Sequence, residues 1–156
     1  MVCKMYLEDG SYRVRGTVRS TKNPKKIDPL KNAFGSHFDK LELVEADLND
    51  KESLIKACQG AKYIVHTASP FPLVAPKNED DVVKPAVNGT LAILEAAKLN
   101  KVKKVVITSS CVSIYVTNDR SKVDFTRDDW SDPAICSPYE KSKTLAERAA
   151  WDFQKQ

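Results

Sequence analysis

Two side chains in the last part of the chain have a spacing that suits proton transfer. Tyr139 and Lys143 are four residues apart in the segment SPYEKSKTLAERAAW, and residues at that spacing lie on one face of an α-helix. A free tyrosine has a pKa of about 10, and a neighbouring ammonium favours the ionised phenol. The same pattern also fits a half-buried aromatic residue beside a solvated lysine on an ordinary amphipathic helix, so both interpretations are kept at this point.

Four short segments rich in β-branched residues predict the strands that would position such a helix. They are Tyr12–Val18, Leu41–Asp47, Ala61–Ala68 and Lys103–Ser110. Helices are expected between them, including one that Asp50 caps over KESLIKAC, one over Glu79–Asn100 and a last one from Pro138. Gly89 within the long helix indicates close packing against a neighbour. This alternation predicts a parallel sheet with helices on both faces.

Polar or small residues stand where each predicted strand ends. Arg19 follows the first strand, Asp47 ends the second, and the segments 66–69 and 108–110 end the third and fourth. The carboxyl ends of parallel strands meet at one edge of a sheet, where ligands bind. The sequence therefore predicts a binding cleft at this edge. Three aromatic residues are expected near its rim: Phe71, Tyr115 and Trp130.

The composition indicates a single globular domain. The chain has 156 residues, of which 42% are hydrophobic and 29% charged, as is usual for such domains. It has no membrane-length apolar run and no signal peptide, so we expect a cytoplasmic protein without a membrane partner. The net charge of +4 and the single basic cluster 19–26 do not call for nucleic acid. The scattered cysteines and histidines predict no metal site.

Seven segments, in order along almost the whole chain, resemble the extended short-chain dehydrogenase/reductase family, in its dihydroflavonol reductase, cinnamoyl-CoA reductase and aldehyde reductase branch. They are YRVRGTVRS, EADLND, VHTASPF, VVKPAVNGTLAILEAA, VVITSSCVSIY, DDWSD and YEKSKTLAERAAW. The tyrosine–lysine spacing alone is weak evidence, whereas the ordered set is specific. The resemblance implies an α/β fold with an incomplete doubly wound parallel sheet. Residues 1–156 would then form a partial, Rossmann-like NAD(P)-binding domain.

The resemblance implies an oxidoreductase that reduces a carbonyl compound (an aldehyde, a ketone or a flavonoid-like compound) to an alcohol by hydride transfer. Tyr139 matches the family's proton donor, and Lys143 matches the lysine that supports it and hydrogen-bonds the nicotinamide ribose. Ser110, rather than Ser109, matches the serine that orients the substrate oxygen. Tyr115 stands where some flavonoid-reducing members have asparagine, which argues against a dihydroflavonol. An aldehyde, a ketone or an aryl thioester remains open.

The resemblance also implies NADP, rather than NAD, as the cofactor. Arg19 matches the residue that binds the adenosine 2′-phosphate, where an acidic residue would instead bind the ribose hydroxyls of NAD. Lys26 matches a second basic contact. Asp47 and Leu48 match the residues that flank the adenine. Thr67, Ala68 and Ser69 match the backbone stretch along the central part of the cofactor.

One part of the family's pattern has no counterpart in the sequence. The family begins with a strand and a GxxGxxG turn that binds the pyrophosphate, whereas MVCKMYLEDG resembles the later part of the first helix. In the family's strand order, the first strand lies between the second and the fourth. A vacant place is therefore expected between the first two strands of this chain and the last two, and residues 1–156 are expected to lack the family's small substrate domain. We expect the isolated chain to show neither tight NADPH binding nor turnover.

A non-catalytic interpretation is kept beside the enzymatic one. Extended relatives dimerise through two long helices, here 79–100 and 138–156, and both are present. The chain could therefore form a homodimer, or a heterodimer with a full-length relative. A third alternative is a gene product without function.

Overall fold

The computed structural model describes residues 2–72 and 74–156 as an α/β fold. Its helices are α1 (Val2–Asp9), α2 (Pro24–Phe34), α3 (Lys51–Ala57), α4 (Asp80–Leu99) and α5 (Pro138–Gln154). Its strands are β1 (Val14–Val18), β2 (Leu41–Glu45), β3 (Tyr63–His66) and β4 (Lys104–Ile107). Two 3-10 helices cover Gly35–Lys40 and Cys111–Ser113. Met1, which belongs to the predicted domain and to the segment expected to be helical, lies outside the described residues.

The strands form two separate parallel pairs. β1 pairs with β2 from Val14 opposite Leu41 onwards, and β3 pairs with β4 from Tyr63 opposite Lys104 onwards. Across residues 2–72 and 74–156, no ladder joins the two pairs. The predicted parallel pairing and the predicted separation are both confirmed. One edge each of β1 and β3 is therefore without a strand partner in the described part of the chain.

The predicted strands form, but each is shorter than its predicted segment. β3 ends at His66, so Thr67 and Ala68 lie in the loop that follows it. β4 ends at Ile107, so Ser109 and Ser110 also lie beyond their strand. Residues that the pattern placed at strand ends are thus in loops, where their side chains are not committed to a sheet face.

Side-chain hydrogen bonds fix the N-terminal ends of α3 and α5. The carboxylate of Asp50 accepts a hydrogen bond from the amide of Ser53 at 3.1 Å, which confirms the predicted cap of α3. At α5, the amide of Ser137 donates to Glu140 Oε2 at 2.7 Å, and the amide of Glu140 donates to Ser137 Oγ at 3.4 Å. This reciprocal capping box fixes the start of α5. Because the helix begins at Pro138, the positions of Tyr139 and Lys143 around the helix axis are also fixed.

Each strand pair has its own buried cluster. One cluster lies between α3 and α4 and reaches Ile64 and Val105 on the β3–β4 pair; its buried members are Leu54, Cys58, Ala92, Ile93 and Ala96. The other is built on Leu7, Phe34 and Leu41 and reaches β1 and β2. Across the described residues, no helix is both long and apolar enough to cross a bilayer.

Gly89 of α4 lies in close contact with the loop after β2. A Cβ atom added at Gly89 would lie 2.7 Å from Leu48 Cδ2, closer than real side-chain contacts allow. The close packing predicted at this glycine is confirmed. Leu48 thereby links the end of the β1–β2 pair to the helix that covers the β3–β4 pair.

Candidate active site

Helix α5 places Tyr139 and Lys143 on one face. The Nζ atom of Lys143 lies 5.9 Å from the centre of the Tyr139 ring, and Lys143 is only 8% exposed. Its neighbours Ser142 and Thr144 are fully buried where α5 packs along α4. Burial lowers the pKa of the Lys143 ammonium. The interpretation of this lysine as a solvated residue on an ordinary amphipathic helix is therefore wrong.

Ser110 lies between β4 and the 3-10 helix 111–113. Its Oγ atom accepts a hydrogen bond from the amide of Val112 at 3.4 Å. A hydroxyl that accepts in this way keeps its own proton free to donate to another group. Ser109 differs, because its hydroxyl contacts the Glu147 carboxylate and lies 3.1 Å from Ser113 Oγ. The two adjacent serines thus have different hydrogen-bonding states.

Glu147 joins this turn to α5, a contact that the sequence reasoning missed. Its Oε2 atom contacts the hydroxyls of Ser109 and Ser113, the latter at 2.8 Å. Glu147 follows Lys143 by four residues and Tyr139 by eight, so the helical period places all three on one face. That spacing was the signal available in the sequence.

His66, at the end of β3, is a second buried group near Lys143. It is 7% exposed, and its pKa is lowered to about 4, first by burial and then by the charge of Lys143. His66 is therefore neutral near pH 7. A neutral imidazole adds no second positive charge beside Lys143.

Of the three aromatic residues expected at the rim, Phe71 meets the tyrosine. Its ring centre lies 5.1 Å from that of Tyr139 in an edge-to-face arrangement, and 69% of Phe71 is exposed. Tyr115 instead contacts Phe125 at 6.4 Å between ring centres. The Trp130 ring lies 5.1 Å from the guanidinium of Arg148. Phe71 is thus placed to cover one side of the Tyr139 ring.

The two basic residues expected at the cofactor are exposed. Arg19 follows β1, and Lys26 lies in the first turn of α2. Within the described ranges, neither forms an ion pair. Nearby, Thr21 donates its amide and its hydroxyl to Glu45, at 2.7 and 2.8 Å. These bonds, with the charge of Lys22, lower the pKa of Glu45. The exposed guanidinium and ammonium suit an anionic ligand such as a phosphate.

The remaining expected cofactor residues lie in the loops after β2 and β3. Asp47 Oδ1 accepts a hydrogen bond from the amide of Asn49 at 2.8 Å, so this carboxylate closes a local turn. Leu48 packs on Gly89, as described above. Thr67 and Ala68 are exposed and Ser69 is half-buried. This backbone stretch is accessible and leads from His66 towards Phe71.

The described contacts join some of the expected residues and not others. Tyr139, Lys143, His66 and Phe71 form one group through direct contact or through charge. Ser110 is connected to that group through the turn held by Glu147. Arg19 and Lys26 belong to the other strand pair. The arrangement can supply a proton at Tyr139 and hold a nearby polar ligand.

Comparisons with known proteins place the chain in a family. The pattern of the NAD dependent epimerase/dehydratase family matches residues 1–156. Tetraketide alpha-pyrone reductase 1 of Arabidopsis thaliana is 35% identical over 162 residues, covering 100% of this chain and 49% of that protein. Cinnamoyl-CoA reductase 2 of Medicago truncatula is 38% identical over 159 residues, covering 98% and 45%. The chain thus spans about half the length of these curated relatives.

A solved structure with the same fold carries a nicotinamide cofactor. It is the yeast methylglyoxal/isovaleraldehyde reductase Gre2 complexed with NADPH, with a TM-score of 0.78 and 30% identity. The match covers 97% of this chain and 48% of the yeast protein. The similarity therefore extends over both strand pairs and the helices that carry the candidate site.

Proposed function

Since the chain belongs to the NAD dependent epimerase/dehydratase family, we propose that its residues reduce a carbonyl compound to an alcohol with NADPH. The observation that carries this proposal is the buried Lys143 ammonium 5.9 Å from the centre of the Tyr139 ring. A buried cation beside a phenol equips that phenol for proton transfer. Bound NADPH supplies the hydride for the carbonyl carbon.

Tyr139 donates the proton to the carbonyl oxygen. The Lys143 ammonium stabilises the negative charge left on the phenol oxygen, and it does so effectively because it is shielded from water. Ser110 donates a hydrogen bond to the same substrate oxygen, since the amide of Val112 occupies only its acceptor side. His66 stays neutral, so Lys143 is the cation that acts on Tyr139.

The cofactor would be held along the loops that follow the strands. Arg19 and Lys26 would bind the adenosine 2′-phosphate, which selects NADPH over NADH. Asp47 and Leu48 would flank the adenine. The loop 67–69 would follow the central part of the cofactor. The exposed cations and the NADPH complex of the yeast neighbour support this assignment.

The substrate would be a small aldehyde, ketone, aryl thioester or flavonoid-like carbonyl compound. The exposed ring of Phe71, edge-to-face with Tyr139, would form an apolar wall against it. The relatives include a tetraketide alpha-pyrone reductase and a cinnamoyl-CoA reductase, so an alpha-pyrone and a cinnamoyl-CoA belong in the panel of compounds to be tested.

The test is transfer of label from NADPH deuterated at C4 to the alcohol product, detected by mass spectrometry. Because the sequence has no GxxGxxG turn, cofactor binding is expected to be weak, and the assay is run at millimolar NADPH. The isolated chain is expected not to turn over at ordinary cofactor concentrations, but at millimolar NADPH labelled alcohol should form with the wild type and at least about 100-fold less with Tyr139→Phe. No labelled product from any carbonyl class would overturn the proposal. Micromolar NADPH affinity would contradict only the expectation of weak binding.

A second candidate is a non-catalytic partner that dimerises through α4 and α5. These helices pack on each other and leave Leu99 and Trp151 67% and 53% exposed. Two such faces could pair in a homodimer, or in a heterodimer with a full-length relative. Sedimentation of the wild-type chain should show a dimer that Leu99→Arg with Trp151→Arg converts to a monomer. A monomeric wild type that also forms no mixed species with a co-expressed relative would count against this candidate.

A further inference from the structure

We propose that Glu147 is a positioning residue that sets where Ser110 lies relative to Tyr139 and Lys143. This inference rests on the proposed carbonyl reduction, in which Tyr139 and Ser110 act on the same substrate oxygen and Lys143 supports Tyr139. Glu147 lies on the same helix as Tyr139 and Lys143, yet its carboxylate reaches the turn that carries Ser110. Among the described residues, Glu147 is the side chain of α5 that hydrogen-bonds directly to that turn, whereas Arg148 reaches only the carbonyl of Ser131, at 3.4 Å.

The link runs through two serine hydroxyls to the backbone of Ser110. An ionised carboxylate only accepts hydrogen bonds, so the Ser109 hydroxyl donates to Glu147. Ser113 Oγ lies 2.8 Å from Glu147 Oε2 and also contacts the carbonyl oxygen of Ser110. Ser113 has one proton for these two acceptors, and it is fully buried. Ser113 therefore donates to only one of them at a time, and the Ser109 hydroxyl that donates to Glu147 is the second connection between α5 and the turn.

The carboxylate itself is held in place. The indole Nε1 of Trp151 donates to Glu147 Oε1 at 3.4 Å, while Oε2 faces the serines. Trp151 and Glu147 are four residues apart on the same helix, so this contact fixes the carboxylate from the C-terminal side. The carboxylate is thus held by the helix on one side and by the turn on the other.

The turn has a separate anchor on its other side. Ser131 Oγ donates to the carbonyl of Val112 at 2.7 Å, and the Ser131 amide donates to the carbonyl of Ser113 at 2.9 Å. Ser131 is fully buried. Without Glu147 these bonds would keep the 3-10 helix folded and attached, while its position against α5 would be held only indirectly, through the 3.4 Å bond from Arg148 to the Ser131 carbonyl. The expected defect is therefore in the alignment of Ser110 and not in the fold.

The test compares Glu147→Ala with Glu147→Gln and with a control on the next turn of α5. Glutamine keeps an oxygen that can accept from the serines, whereas alanine does not. Asp152→Ala is the matched control because Asp152 is exposed and, among residues 2–72 and 74–156, forms an ion pair only with Lys155, at 3.1 Å. Since a misplacement of about 1 Å can cost on the order of 100-fold in rate, we expect Glu147→Ala to lower kcat by about 10- to 100-fold.

The pattern across variants separates positioning from general damage. The KM for NADPH should be unchanged in Glu147→Ala, Glu147→Gln should retain kcat within about threefold of wild type, and Asp152→Ala should match wild type. An unchanged kcat in Glu147→Ala would overturn the proposal. It would equally be overturned if Glu147→Gln were as impaired as Glu147→Ala, since an acceptor oxygen would then not suffice.

A spectroscopic arm keeps this inference separate from the proposed function. If the wild-type chain forms no labelled alcohol, the proposed function fails, and the positioning role is read from NMR instead. The amide and 13Cβ resonances of Ser109, Ser110 and Ser113 should shift in Glu147→Ala, should largely return in Glu147→Gln and should not move in Asp152→Ala. Unshifted Ser110 resonances in Glu147→Ala would refute the link.

Discussion

The Nζ atom of Lys143 lies 5.9 Å from the centre of the Tyr139 ring, and this lysine is buried on α5. A lysine on an exposed helix face would instead extend into water, where its charge is screened. Removal from water increases the effect of the ammonium on a neighbouring oxygen. The proposed proton transfer depends on this electrostatic effect, so removal of either residue should have measurable consequences.

Replacement of Tyr139 by phenylalanine should abolish proton donation and preserve the fold. Phenylalanine keeps the ring that packs edge-to-face on Phe71, and general acid catalysis contributes roughly 10²- to 10⁴-fold. We expect the yield of labelled alcohol to fall by that factor while the urea midpoint stays within error. Tyr115→Phe is the matched control, since that tyrosine also has an aromatic neighbour. Equal losses in both variants would contradict a specific role for Tyr139.

His66 should make the stability of the protein depend on pH in a defined window. Its folded pKa of about 4 lies below its ordinary value of 6.5, so the unfolded chain takes up the proton first as pH falls. The stability due to neutral His66 is complete above pH 6.5 and is lost as pH falls towards 4. The shift corresponds to about 3 kcal/mol.

Urea unfolding at pH 7.5 and at pH 4.5 measures this effect. Between the two pH values, which cover most but not all of the titration, His66→Asn should lose about 2–3 kcal/mol less stability than the wild type. Parallel pH profiles for wild type and His66→Asn would show that burial of the imidazole does not determine the acid sensitivity.

The elements that the sequence predicted well are those whose local signals agree with their packing. The capping box at Ser137 and the cap at Asp50 fix the starts of α5 and α3, and both are visible as residue types. Helix α2 was not placed, because PKKIDPLKNAF contains Pro29 and several charges. Its buried Ile27 and Phe34 stabilise it through tertiary contacts, which a local pattern does not contain.

The residues of the candidate site show the same contrast between local signals and long-range contacts. Tyr139, Lys143 and Glu147 lie on one helix, so their common face follows from spacing alone, although Glu147 was overlooked. The contact between Phe71 and Tyr139 depends on how the loop after β3 folds. The influence of Lys143 on His66 depends on how the fold brings α5 near the end of β3. These long-range placements arise from the whole fold and leave no periodic trace in the sequence.

Gly89→Ala should destabilise the protein although alanine favours helices. A Cβ atom would approach Leu48 to 2.7 Å, and forcing an atom into a packed contact costs about 1–3 kcal/mol. This exceeds the gain of at most about 1 kcal/mol from replacing glycine in a helix. The double variant with Leu48→Ala should be more stable than the sum of the single effects predicts, as measured by urea unfolding. A more stable Gly89→Ala would mean that Leu48 can move aside.

Arg19 should decide the preference for a 2′-phosphate, and a cofactor fragment can test this without the pyrophosphate contacts. Adenosine 2′,5′-bisphosphate carries that phosphate, and 5′-AMP lacks it. A charge-assisted hydrogen bond contributes about 1.5–3 kcal/mol, so Arg19→Ala should weaken binding of the bisphosphate by roughly 10- to 100-fold and leave binding of 5′-AMP unchanged.

Lys26→Ala should have a smaller effect of the same kind, because an ammonium lacks the fork of a guanidinium. Lys25→Ala, at the adjacent exposed position on α2, is the control and should change neither affinity. Calorimetry that finds equal affinity for the two nucleotides in the wild-type chain would remove the basis for NADP selection by this loop.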